Sequence, residues 1–174
     1  MNFFTRHKTI CIGISLVLMV ASALWLLTYN DELITTEAPL KIVSLELAWS
    51  NQNAERVAGS WNIDQKTSAL YSIYVDYLFI VAYTLFLIVC VLAANIGTKP
   101  LMFRTKLFLI LAAGAFVMDV IENIFMTSFL NGHQTAAILF SLPATLKFSC
   151  IVSVSCYLIY MIATILRTRF VSRR

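Results

Sequence analysis

Apolar residues run almost unbroken through four stretches of the chain: Thr9 to Tyr29, Ala69 to Ala94, Leu107 to Leu130 and Ala136 to Leu166. A bilayer core about 30 Å thick is crossed by about 20 helical residues at a rise of about 1.5 Å each, and every stretch is that long. The pattern therefore predicts an all-α integral membrane four-helix bundle. It forms a single transmembrane domain over residues 1–174, with spans near 9–29, 69–94, 107–130 and 136–166. Only Asn131, Gly132, His133, Gln134 and Thr135 separate the last two spans, enough for an antiparallel hairpin. Those two helices should be neighbours.

Residues 30–68 form a loop outside the membrane, too short for a core of its own. It should pack on the helices. Ile42-Val43-Ser44-Leu45-Glu46-Leu47-Ala48 alternates partly, like a short strand or an interfacial segment. Ser50 is placed to N-cap a short helix in which Ala54, Val57, Ala58 and Trp61 recur at helical spacing, an amphipathic segment lying flat as a lid. Trp49 and Trp61 read as an interfacial aromatic belt, and Glu46 as a solvated glutamate, the alternative being a side chain aimed at the mouth of the bundle.

Composition excludes the soluble classes. The 174 residues are 60% hydrophobic and 13% charged with a mean hydropathy of +0.82, far from the globular norm, so a soluble enzyme or a nucleic-acid binder is not expected. The net charge of +4 is distributed by side. Arg6, Lys8, Lys99, Arg104, Lys106, Arg167, Arg169, Arg173 and Arg174 flank the spans on one face with no acid among them. The opposite face mixes Lys41, Arg56 and Lys66 with six acids. The positive-inside rule then puts both termini in the cytoplasm and the loop outside.

Arg6, His7 and Lys8, the apolar run after them and Ala21-Ser22-Ala23 also match a secretory signal with an A-x-A cleavage site, which would leave three spans. The continuation through Leu24, Trp25, Leu26 and Leu27 to spanning length favours an uncleaved anchor. Cys11, Cys90, Cys150 and Cys156 all fall within spans and form no C-x-x-C pair, so they read as small buried apolar residues.

Candidate chemistry is concentrated in Asp76 of the second span, Asp119, Glu122 and Asn123 of the third, and Lys147 of the fourth. Each ionisable group in mid-span costs about 2.5–3.5 kcal/mol on insertion scales, so the four must face one another or water. Counted from the loop ends of their helices, they lie at similar depths of roughly 10 to 17 Å. Asp119, Glu122 and Asn123 are spaced i, i+3, i+4 and share a stripe. Asp76 and Tyr83 share a face of the second span, with Tyr77 at its flank. Pro143, four residues before Lys147, predicts a kink or a freed carbonyl there. Lys147 should pair with Asp119 or Glu122, and Asp76 should meet the other carboxylate with Tyr83 or Asn123 hydrogen-bonded nearby. Three carboxylates against one ammonium leave an excess of two negative charges, which calls for protonation, a bound cation or water.

No histidine lies in a span, and Lys147 competes with any metal for the carboxylates, so no metal is expected. Phosphate-loop and dinucleotide-binding glycine patterns are absent, Gly97 and Gly114 being isolated, and no cofactor is expected.

The run Ile42 to Ala48, the pair Asp76 and Tyr83, and Asp119-x-x-Glu122-Asn123 together resemble a group of small, uncharacterised bacterial four-span membrane proteins, over roughly Lys41 to Tyr160. The resemblance implies the four-span architecture, a bacterial inner membrane and a polar site at these residues, and carries no activity. Three functions stay open. One is binding or transport of a small polar molecule, ion or lipid headgroup at Asp76, Tyr83, Asp119, Glu122, Asn123, Lys147 and Glu46. The second is an intramembrane enzyme using carboxylate acid–base chemistry on a lipid-like substrate. The third is a structural or assembly subunit held by interhelical hydrogen bonds. The expected partners are membrane lipid, a small polar ligand or cation, and a second copy or another membrane protein.

Overall fold

The computed structural model describes residues 2–96 and 102–171, with side chains for 4–96 and 103–167. Four long helices dominate: α1 (Asn2–Asn30), α4 (Ile63–Ala94), α5 (Met102–Leu130) and α6 (Ile138–Val171). A 3-10 turn (Asp31–Leu33) and two short helices, α2 (Ile42–Glu46) and α3 (Asn51–Gly59), lie between α1 and α4. No strand occurs among the described residues. All four long helices are apolar enough to cross a membrane, and most of the α1 and α6 side chains face outward, as lipid-facing surfaces do. The chain is an all-helical membrane protein. Lys99, Arg173 and Arg174 lie outside the described residues, as does the side chain of Arg169.

Local sequence explains where the helices start and stop. Asn62 and Gln65 form a reciprocal capping box, each side chain bonded to the other's backbone N–H, so α4 begins at Ile63, a turn and a half before the apolar run at Ala69. Ser50 caps α3, its hydroxyl accepting from Asn53 N at 3.3 Å. At the far end of α5, His133 N donates to Ser128 O and Gly132 N to Phe129 O, a Schellman closure with Gly132 at φ +84°. A Cβ on Gly132 would meet nothing within 4 Å, so Gly132→Ala tests backbone conformation alone. It should cost about 1–2 kcal/mol, read as a melting temperature lower by about 2–4 °C per kcal/mol.

The loop segment and the cysteines differ from the sequence expectation. Ile42 to Glu46 is helical, not extended, because Ile42 and Leu45 point together into the core and leave no sheet partner to seek. α6 runs on from Ile138 through Pro143, its sixth residue, which has no N–H to offer the Leu139 carbonyl one turn back. The cysteines are free and only half-buried, Cys156 being exposed on the outer surface of its span rather than packed inside.

The helices pack in chain order, α1 on α4, α4 on α5 and α5 on α6, with a smaller contact between α4 and α6 and no comparable pairing of α1 with α6. The last two spans are neighbours, as the five-residue link requires. Two apolar cores result. One, at the loop end, joins Leu33, Leu45, Ala54, Val57 and Trp61 to Ile73, Met126 and Phe140. The other, toward the chain termini, joins Ile80, Leu87 and Val91 to Ala112, Ala115, Val154 and Tyr157. Asp76, Asp119, Glu122, Asn123 and Lys147 fall between the two along their helices. A polar layer thus separates two dry ones.

Candidate functional site

The i, i+3, i+4 spacing on α5 turns Asp119, Glu122 and Asn123 to the bundle interior, where all three are buried. Lys147 reaches them from α6. Its Nζ lies 2.8 Å from Asp119 Oδ1 and 3.0 and 2.8 Å from Glu122 Oε1 and Oε2. The amine pairs with both carboxylates, where the sequence demanded only one. Tyr83 donates from α4 to the other Asp119 oxygen at 2.9 Å, so Asp119 bridges a phenol and an ammonium. Asp76 joins the group through Asn123, whose amide donates to Asp76 Oδ2 at 2.8 Å. Among the described residues no cation lies within ion-pair distance of Asp76.

Glu46 is not a solvated surface glutamate. It is 7% exposed, and its Oε2 stands 3.3 Å from Lys147 Nζ. The cause is tertiary. Leu45 and Ala48 bury on the loop-end core and turn the last residue of α2 downward, toward the α6 lysine. Two non-glycine residues at positive φ, Lys41 at 61° and Trp49 at 58°, bracket this segment. Such conformations cost about 1–3 kcal/mol each and persist only where surroundings enforce them. Lys41 is ion-paired with Asp31, and Trp49 N donates to Ser141 Oγ on α6 at 3.0 Å. Asn51 Oδ1 accepts from Ala137 N at 2.7 Å, tying the start of α3 to the α5–α6 hairpin. The lid is therefore fastened on both sides of Glu46. Trp61 is also not an interfacial anchor: it is 3% exposed and donates to Leu33 O at 3.0 Å, whereas Trp49 keeps an exposed ring.

Glu46, Asp76, Tyr83, Asp119, Asn123 and Lys147, though not Glu122, line a cavity of about 180 Å³ bounded by all four long helices and α2. Asp76, Asp119, Glu46 and Lys147 form its charged wall, while Phe79, Met126, Phe148 and Ile151 are apolar. Ser72 and Asn30, bonded to each other at 2.9 Å, also face it and escaped the sequence reading. Their signal was weak: neither a lone serine within an apolar run nor an asparagine just past one carries a charge that would need a partner.

No protein-family model, curated protein or solved structure matches this chain. Four carboxylates gather about one ammonium, an excess of three negative charges when all are ionised, one more than Asp76, Asp119 and Glu122 alone implied. Glu46 Oε2 is buried without a hydrogen bond, Lys147 Nζ standing 3.3 Å away. Lys147 occupies the centre where a metal would sit, and among the described residues no set of three His, Cys, Asp or Glu is arranged to hold one. His133 is exposed in the hairpin.

Proposed function

We propose that this chain is a membrane binding protein whose site, between the lid helix α2 and helices α4, α5 and α6, takes a small polar or cationic group. The observation that carries the reading is the charge imbalance beside a cavity. A set of side chains selected only to lock helices together would neutralise itself, since each uncompensated buried charge opposes folding. Here Lys147 is surrounded by Glu46, Asp119 and Glu122, and Asp76 stands across the cavity with only an amide for a partner. A cavity of about 180 Å³ holds about six waters at roughly 30 Å³ each, enough for a compact ligand group and too little for a drug-sized molecule.

The excess of basic residues on the terminal flanks supports, by the positive-inside rule, a reading with both termini in the cytoplasm of a bacterial inner membrane and a ligand that arrives from the outer leaflet. With no internal repeat to support alternating access, binding, alone or within an oligomer, is favoured over transport by one copy. Catalysis is the second reading. It is supported by the unbroken sequence of contacts from Tyr83 through Asp119 and Lys147 to Glu122, a path along which protons can be exchanged.

The decisive experiment combines substitution with thermal shift on purified protein. Asp76→Asn removes one charge from an over-negative site, so the melting temperature should hold or rise while stabilisation by a bound ligand disappears. A fall in intrinsic stability would instead mark Asp76 as a helix lock and reject the binding reading. Turnover of a membrane lipid extract by the wild type, abolished in Asp119→Asn, would shift the assignment to catalysis.

A further inference from the structure

The binding reading leaves open which group completes the site, and the shape of the cavity narrows it. Three features bear on this. Lys147, the sole cation lining the cavity among the described residues, is already committed to Glu46, Asp119 and Glu122. Nothing remains to hold a phosphate or carboxylate of a ligand, and four carboxylates would repel one. Acceptors facing the cavity are also short of donors: Asp76 has the Asn123 amide alone, on Oδ2, and Glu46 Oε2 stands 3.3 Å from Lys147 Nζ without a hydrogen bond. Buried acceptors are satisfied by N–H or O–H groups, and most strongly by charged ones. Finally, the cavity is half-open, and its wall includes Leu26 of α1 with Phe148 and Ile151 of α6, two helices that do not pair along their length. Phe148 is itself exposed on the outer surface of the bundle. This seam faces the space that acyl chains occupy.

We propose that the ligand is a net-cationic amphiphile with a primary ammonium headgroup, which enters sideways between α1 and α6, sets its N–H groups between Asp76 and Glu46, and leaves its alkyl chain in the seam. The proposal rests on the binding reading above and adds the ligand class and route. Charge and hydrogen bonding act together: one ammonium lowers the excess of negative charge and supplies three donors to the under-bonded carboxylates of Asp76 and Glu46. A quaternary ammonium supplies the charge without donors. A zwitterionic phosphoethanolamine supplies donors but brings a phosphate that no free cation meets. The wall of Phe79 and Phe148 keeps the first carbons of the chain dry.

The test uses full-length protein in uncharged detergent at fixed ionic strength, titrated with dodecylamine, dodecyltrimethylammonium, ethylamine and potassium chloride. Dodecylamine should raise the melting temperature by about 5–10 °C at a hundredfold excess over its Kd. It should bind about tenfold or more tightly than the trimethyl analogue, the equivalent of about 1.4 kcal/mol. Asp76→Asn and Glu46→Gln should each weaken it at least tenfold with the fold intact by circular dichroism. In native mass spectrometry, dioleoyl phosphatidylethanolamine should be retained no better than dioleoyl phosphatidylcholine.

Other results overturn the proposal in distinguishable ways. Equal binding of ethylamine removes the amphiphile, and equal binding of the trimethyl compound removes the hydrogen-bond argument. A dodecylamine shift that survives in the Asp76→Asn, Glu46→Gln double variant is a micelle effect. Selective retention of the phosphoethanolamine lipid means that a phosphate is tolerated after all. In each of those cases, a ligand-dependent shift lost in Asp76→Asn leaves the broader binding function standing. Silence across the whole panel, with neutral and anionic ligands added, rejects both.

Discussion

Lys147→Met should be the most damaging single substitution at the polar layer. It leaves Glu46, Asp119 and Glu122 facing one another in a buried space with no counter-charge, since Lys147 Nζ lies within 3.3 Å of all three. Removing one partner of a buried ion pair costs about 3–5 kcal/mol, because the remaining charge keeps its desolvation penalty and loses its compensation. For a chain of this length that is a drop of about 6–20 °C in melting temperature, or failure to accumulate in the membrane. Both are read by fluorescence-detected size exclusion after heating. The triple variant Lys147→Met, Asp119→Asn, Glu122→Gln should recover most of the loss, because neutral amides can hydrogen-bond where carboxylates repel. If Lys147→Met alone melts like the wild type, the lysine does not neutralise the layer and the charge argument for a binding site fails.

Trp61→Ala should be comparably severe for a different reason. Its indole fills the loop-end core between α3, the 3-10 turn and α4, and its ring N–H satisfies the Leu33 carbonyl. Truncating a buried large aromatic costs about 3–5 kcal/mol, from lost burial and the cavity left behind. The lid that carries Glu46 is seated on this core, so its loss should also expose the loop to protease, with cleavage near 34–41 measured by intact mass. Trp49→Ala is the control. That ring is exposed and the residue's anchoring bond to Ser141 comes from its backbone, so stability should change by less than about 1 kcal/mol. Equal sensitivity of the two tryptophans would mean that the lid is not held from inside.

The contrast between these tryptophans shows how far residue type carries. Both are aromatic residues beside apolar spans, and in sequence they look alike as interfacial anchors. Their difference lies in partners distant along the chain, Leu33 for one and Ser141 for the other. The same holds for the acids. Asp119, Glu122 and Lys147 were legible because a charge in the middle of an apolar run has no inexpensive place except against another charge. Glu46 sits among the apolar residues Ile42, Val43, Leu45 and Leu47, which left burial open, but in a loop outside the spans solvation is the easier outcome and the local pattern does not choose between them.

The sequence by itself determined the four spans, the tight hairpin between the last two, the capped α3, and the convergence of charge from α4, α5 and α6 at one depth. Those features follow from bilayer thickness, helical periodicity and the cost of isolated charge, all of which act locally or along one helix. Only the tertiary structure decided that α2 is a helix rather than a strand, that Glu46 turns inward as a fourth carboxylate, and that α1 and α6 leave a seam beside the cavity. These depend on which apolar faces find one another. Leu45 and Trp61 choose their burial partners across the fold, and the polar side chains beside them are carried wherever that packing leads.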